Sequence, residues 1–301
     1  MRASKVYQSL GALPTGRADD SVTEGCIVLE GGAWRGLYTL GVLDALMLSN
    51  INFRTTVGIS AGALCGMGYV SGQIGWGARI DLTYRHDPNY CGAGALKTDH
   101  GITGFSYLYR DILKEIPLDE ERLMRPERKL LVGATNMLTG KIEYFEKGKC
   151  DLFTAVQASA TVPYISRPVI IDGIPYLDGG CAEKIPYRWA VENEQSGKII
   201  VVKTREWAYR RKEKGGRAAK RVYRNYPAFL KSLEQTNRNF NQMREEMLDE
   251  EKNGRIFVIA PSNEVEVSRF EGNMDKLGDL YWMGYRDMER RIDDLKVYLT
   301  Q

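Results

Sequence analysis

The sequence predicts an α/β fold built on a largely parallel sheet, and three observations carry that prediction. Short apolar or β-branched runs, such as Cys26-Ile27-Val28-Leu29 and residues 53–57, alternate with stretches whose apolar residues recur at helical spacing. Two of these runs pass straight into glycine-rich turns, Glu30-Gly31-Gly32-Ala33 and Gly58-Ile59-Ser60-Ala61-Gly62, as strands do where they hand over to helices. The chain of 301 residues, 43% hydrophobic, is long and apolar enough to bury a substantial core, which excludes disorder and fibrous architectures.

Taken in order, residues 26–29 form the first buried strand. A helix follows over residues 35–48, where Leu37, Leu40, Leu43 and Met47 fall near helical spacing. Residues 53–57 read as a second strand, ending at Gly58, and a glycine-interrupted helix opens at Ala61. Residues 74–103, rich in Gly, Asp, Asn and Tyr, read as irregular. Further strands are expected at 129–133, 142–145, 169–171, 198–203 and 255–260, with a helix at 152–160. A final helix over 277–299 places Leu280, Gly284, Met288, Ile292, Leu295 and Leu299 on one face. Residues 1–24 read as a flexible leader and 25–301 as a single domain, within which 204–252 forms a helical insertion.

Lys and Arg number 42 against 39 Asp and Glu, a net charge of +3, too balanced for a dedicated nucleic-acid binder. The five cysteines are odd in number, scattered and without a C-x-x-C pair, which favours a reducing, cytoplasmic setting over a disulfide framework or a zinc cluster. No run reaches the ~18 consecutive apolar residues of a transmembrane helix. Only two histidines occur, His86 and His100, so a His-rich metal site is not expected.

Three segments have the composition of reactive sites. Gly58-Ile59-Ser60-Ala61-Gly62 matches G-x-S-x-G between a predicted strand and helix. There a strained turn would expose Ser60, and Gly58 and Gly62 would leave room for it. Gly31-Gly32-Ala33-Trp34-Arg35-Gly36 also follows a strand and opens a helix. It admits three readings: a phosphate-binding loop, a tight structural turn, or an oxyanion site in which the Gly32 and Ala33 N–H groups converge on a carbonyl oxygen. The dinucleotide fingerprint fails, because Ala33 stands where it needs Gly. Tyr176-Leu177-Asp178-Gly179-Gly180 is by itself an ordinary turn. No histidine follows Asp178, so a Ser60 nucleophile would need His86, His100 or a carboxylate acting directly as its base.

In this order, the three segments resemble the patatin-like phospholipase family, with its glycine-rich D-G-G-G-x-[RK]-G loop, G-x-S-x-G elbow and D-G-[GA] aspartate. Ala158-Ser159-Ala160-Thr161-Val162-Pro163 is similar to a further family segment, and residues 269–288 resemble the tail of bacterial members. The sequence departs from the family at Glu30, where the loop Asp is expected, and at Ala33, an exchange that is harmless if φ there is below zero.

The resemblance implies a three-layer α/β/α fold. It also implies a metal- and cofactor-independent serine acyl hydrolase of phospholipase A or lysophospholipase type, acting on lipid esters through an acyl-enzyme. Ser60 would be its nucleophile and Asp178 its base. Gly31, Gly32, Ala33 and Ala61 would form the oxyanion site, and Arg35 and Gly36 would order the loop. The rival from another class is a non-catalytic module binding nucleotide or phospholipid through the glycine loop. Residues 203–224 carry ten Lys and Arg against two Glu, interrupted by Gly215-Gly216. This run reads either as a solvated face or as a patch, with Trp207, Tyr209, Tyr223 and Tyr226, that settles on an anionic membrane surface.

Overall fold

The computed structural model of the protein describes residues 5–212 and 217–301, so the Gly215-Gly216 joint lies outside the described residues. The strands of its main sheet are β1 (Thr23–Leu29), β2 (Phe53–Ile59), β3 (Lys129–Asn136), β4 (Ile142–Glu146), β5 (Val169–Ile171), β6 (Ile174–Asp178), β7 (Ile199–Val202) and β8 (Ile256–Ile259). They lie in the order β8-β7-β1-β2-β3-β6-β5, with β4 also paired to β3. The five strands from β8 to β3 are mutually parallel, whereas β4, β5 and β6 join antiparallel. The fold is thus α/β with a mixed, mostly parallel sheet, as the alternation of elements predicts.

Both faces of the parallel part are covered, which is why β7 and β8 and the second half of β1 read as unbroken apolar runs. Ile27 and Leu29 of β1 pack on one side with α1 (Gly36–Leu48). Cys26 and Val28 pack on the other. The elements α2 (Ala61–Val70) and α3 (Leu152–Ser159) enclose a further core around Leu130 and Val132. On the Cys26 side lies α4 (Pro227–Lys252), through Phe240, Met243 and Met247. The long C-terminal helix α5 (Met274–Thr300) starts at Asn273, whose side chain caps the N–H groups of Asp275 and Lys276, and it packs along α1.

Three expectations need correction. Residues 74–103 are not wholly irregular, since helices occupy Trp76–Tyr84 and Ala93–Thr98; Trp76, Ala78, Ile80 and Leu82 supply a buried face that the surrounding glycines obscure. Residues 5–24 are not a loose leader. Tyr7 and Leu13 are buried, Gly16 and Arg17 pair with Ile74 and Gln73, and Arg79 binds the carbonyls of Leu10, Leu13 and Pro14. The basic run is a solvated face only in part: Arg210, Lys212, Lys220, Arg221 and Arg224 are exposed, but others turn inward. Lys203 is fully buried against the Trp207 and Phe240 rings, Arg211 is buried against Phe240, and Tyr223 is buried against Phe229. Long cationic stems bury readily when aromatic faces and a carboxylate receive them.

Candidate active site

Between the end of β2 at Ile59 and the start of α2 at Ala61, Ser60 adopts φ 56° and ψ −125°. Residues other than glycine rarely occupy that region, so the turn stores about 1–3 kcal/mol of strain. The flanking glycines are sterically required. A Cβ on Gly58 would lie 2.5 Å from the Gly62 carbonyl oxygen, and one on Gly62 would lie 2.5 Å from that of Leu29.

Sheet register brings the aspartate to this turn. Gly133 of β3 pairs with Ile59, and the next residue, Ala134, pairs with Asp178 at the end of β6. Asp178 therefore takes the place beside β3 that β2 vacates as it turns at Ser60. The Ser60 hydroxyl donates to Asp178 Oδ2 at 2.7 Å, while Oδ1 accepts the Gly180 N–H at 2.7 Å. The Asp178 backbone is fixed on both sides, its carbonyl by the Thr135 hydroxyl at 2.9 Å and its N–H by the Thr161 carbonyl at 2.9 Å. Burial pushes the Asp178 carboxyl above the ordinary range, and the bonds from Ser60 and Gly180, with Lys184 and Arg269 nearby, pull it back.

The glycine loop faces the same point. Among the described residues, the N–H groups of Gly32, Ala33 and Ala61 make no hydrogen bond. Gly31 departs from expectation: its N–H donates to the Lys184 carbonyl at 3.2 Å, which commits it to tethering the loop. Ala33 has φ 49°, contrary to the condition that made alanine harmless there, and the left-handed conformation costs about 1–2 kcal/mol. Gly36 seats the loop against the elbow, since its Cβ would lie 3.0 Å from that of Ala61. Arg35, expected to order the loop, closes it through its backbone N–H, which donates to the Gly32 carbonyl at 3.2 Å, but its buried guanidinium makes no hydrogen bond or ion pair among the described residues. The side chain that anchors the loop is Glu30, which is fully buried and accepts the Thr204 N–H at 2.7 Å.

Ser159 holds a position that sequence reasoning left without a role. Its hydroxyl accepts the Ser60 N–H at 2.8 Å and donates to the Gly133 carbonyl at 2.6 Å, bridging elbow and sheet. The small polar residue in the Ala158-Ser159-Ala160 segment was the available signal. Ser159→Ala would leave two buried backbone groups unpaired, so a loss of about 2 kcal/mol of stability is expected, together with a drop in any turnover that depends on Ser60. Denaturant midpoints and kcat measured side by side check both.

Ser60 and Asp178 open onto a cleft of about 910 Å³ with apolar walls that include Leu40, Leu64, Ile80, Leu108 and Ile165. Such a space can hold an acyl chain beside a hydroxyl already bonded to a carboxylate. His86 and His100 are exposed loop residues outside the lining of this cleft, His86 bonding the Gly272 carbonyl at 2.8 Å. Among the described residues, no group of three or more His, Cys, Asp and Glu side chains is placed to hold a metal ion, and no helix is long and apolar enough to cross a membrane. All five cysteines are free.

Residues 27–191 match the family model described as Patatin-like phospholipase, and residues 226–300 match that of a domain of unknown function, DUF6363. Among curated relatives, the chain is similar to the uncharacterized protein YjjU of Escherichia coli (strain K12), at 28% identity over 181 residues. That match covers 58% of this chain and 50% of YjjU, so the chain spans about half the length of this relative. It is also similar to the cUMP-AMP-activated phospholipase of Escherichia coli, at 25% identity over 91% of this chain and 93% of that protein. Among solved structures, VipD from Legionella pneumophila aligns with a TM-score of 0.49 at 13% identity, covering 94% of this chain and 70% of the other.

Proposed function

Because the chain belongs to the patatin-like phospholipase family, a family of lipid hydrolases, we propose that it cleaves carboxylic esters of lipids with Ser60 as nucleophile and Asp178 as general base. The single observation that carries this reading is the 2.7 Å hydrogen bond from the Ser60 hydroxyl to Asp178 at the floor of an apolar cleft.

Asp178 takes the Ser60 proton as Oγ attacks the ester carbonyl, and the resulting oxyanion turns toward the free N–H groups of Gly32, Ala33 and Ala61. Each such donor contributes about 3 kcal/mol in comparable acyl transfers. Collapse expels the alcohol, which leaves with the proton held by Asp178. Water, deprotonated by the same carboxylate, then attacks the acyl-serine and releases the fatty acid. Peripheral contact with a lipid surface belongs to the same proposal, and its support lies at the mouth of the cleft, where Tyr164, Ile165 and Phe270 are exposed.

A soluble ester, p-nitrophenyl butyrate, tests the reading. Turnover that vanishes in Ser60→Ala supports it, whereas clean nucleotide binding without turnover favours a non-catalytic module. The pH profile carries more detail. A base works only when ionised, and burial holds the Asp178 carboxyl above the ordinary value. kcat/KM should therefore rise with pH and level off only above the usual carboxylate range of about 4. A rate unchanged from pH 7 down to pH 4 would exclude Asp178 as the base.

A further inference from the structure

One wall of the cleft is built of cations that the hydrolytic steps above leave unemployed. Arg35, Lys184, Arg205, Arg211 and Arg269 all line it. Arg35 is 3% exposed, and its guanidinium has no hydrogen bond or ion pair among the described residues. Arg205 gives one bond to the Val265 carbonyl, but its Nε is buried without a partner. Arg211 is 9% exposed, reaches Glu30 only at 3.8 Å, and likewise leaves Nε unpaired. Lys184 donates to the Gly180 carbonyl at 2.6 Å, next to the Asp178 turn.

Few anions answer these charges. Glu30 has one oxygen committed to the Thr204 N–H and the other facing Arg211. Asp178 is engaged by Ser60 and Gly180. Besides Asp178, the acids that line the cleft are also engaged, Asp81 by the Tyr90 hydroxyl at 2.9 Å and Glu234 with Lys220 at 3.8 Å. The cations sense one another: burial, and then the charge of Arg205 with smaller effects of Arg211 and Arg269, pull the Arg35 guanidinium down to about 10, although Glu30 pulls the other way. Burying like charges together without counter-ions is unfavourable, and forked guanidinium donors match the oxygens of a phosphate.

From the unpartnered Arg35 and the cationic wall around it, we infer that the cleft contains a phosphate subsite, filled by the substrate's own headgroup phosphate, that selects net-negative phospholipid esters over neutral and zwitterionic ones. This rests on the hydrolase reading and deepens it. A quaternary ammonium headgroup would seek an open aromatic face. Of the rings beside the cationic wall, Tyr209 is already covered by Arg205 at 4.6 Å and Arg211 at 5.6 Å, and Trp34 by Arg85 at 4.7 Å, while the open rings of Tyr164 and Phe270 lie at the exposed mouth. A second positive charge would also be repelled by the wall.

The test compares three short-chain esters below their micellar concentrations: dihexanoyl phosphatidic acid, dihexanoyl phosphatidylcholine and dihexanoylglycerol. The phosphatidic acid should have the highest kcat/KM by about 10-fold or more, the effect of one charge-assisted hydrogen bond. Arg35→Gln should shrink that ratio, and so should Arg269→Gln, a substitution at an exposed position that keeps the test valid if the first variant misfolds. Inorganic phosphate should compete with phosphatidic acid hydrolysis. Equal kcat/KM for the three esters would overturn the subsite while leaving the hydrolase reading intact. Phosphate that alters dihexanoylglycerol hydrolysis while the three esters stay equal would overturn it in favour of a site for free phosphate. No hydrolysis of any ester, with calorimetric phosphate binding that Arg35→Gln abolishes, would instead sink the hydrolase reading and keep the phosphate site.

Discussion

Asp178→Asn is expected to abolish ester turnover about as fully as Ser60→Ala, by at least ~10³-fold in kcat, with the fold intact by circular dichroism. An asparagine can keep the acceptor that holds the Gly180 N–H at 2.7 Å, so the turn survives. It presents an amide NH₂ to Ser60 in place of Oδ2, however, and cannot accept the hydroxyl proton. Replacing His86 and His100 together with alanine should leave most activity in place, because both are exposed and neither lines the cleft. A folded but inactive double histidine variant, paired with a substantially active Asp178→Asn, would refute the dyad.

The largest effect on stability is expected where α1 and α5 touch. A Cβ on Gly284 would lie 2.0 Å from the Tyr38 carbonyl oxygen, and one on Gly41 would lie 2.1 Å from that of Tyr281. The obstacle in each case is backbone, which cannot rotate aside, so the two helices must part. Parting them strains the hydrogen bonds that cross the same interface, Tyr281 to Asp44 at 2.7 Å and Tyr38 to Asp287 at 3.2 Å. Gly284→Ala or Gly41→Ala should therefore lower stability by about 3 kcal/mol or more, at the upper end for overpacked cores. Urea midpoints measure this directly, and a change below ~1 kcal/mol would mean that the helices are not held as closely as described.

The pieces of the site that were legible in the sequence are those whose geometry is local. G-x-S-x-G announces Ser60 because the crowding at Gly58 comes from within the turn itself, whereas that at Gly62 comes from Leu29 at the end of β1. Asp178 could be singled out by motif order, but its approach to Ser60 depends on the pairing of β6 with β3, and β6 itself was obscured by Pro175. Gly284 was placed on the buried face of its helix by periodicity, although nothing in the sequence marked the backbone of α1 as its neighbour. Burial of Lys203 and Arg211 was not legible, because a run of charges normally signals solvent. What draws these two inward is Glu30, Phe240 and Trp207, brought from distant parts of the chain. The cationic wall has the same origin, with residues 35, 184, 205, 211 and 269 converging only in the folded chain. The positive φ of Ala33 is likewise imposed by the loop around it and has no local signature.

The most direct test of the central claim is covalent labelling with a fluorophosphonate, read by intact-mass and peptide mass spectrometry. The dyad predicts a single adduct on the peptide carrying Ser60, absent in Ser60→Ala and formed far more slowly in Asp178→Asn. An adduct on a different residue, or an enzyme that hydrolyses esters while Ser60 stays unlabelled, would contradict it.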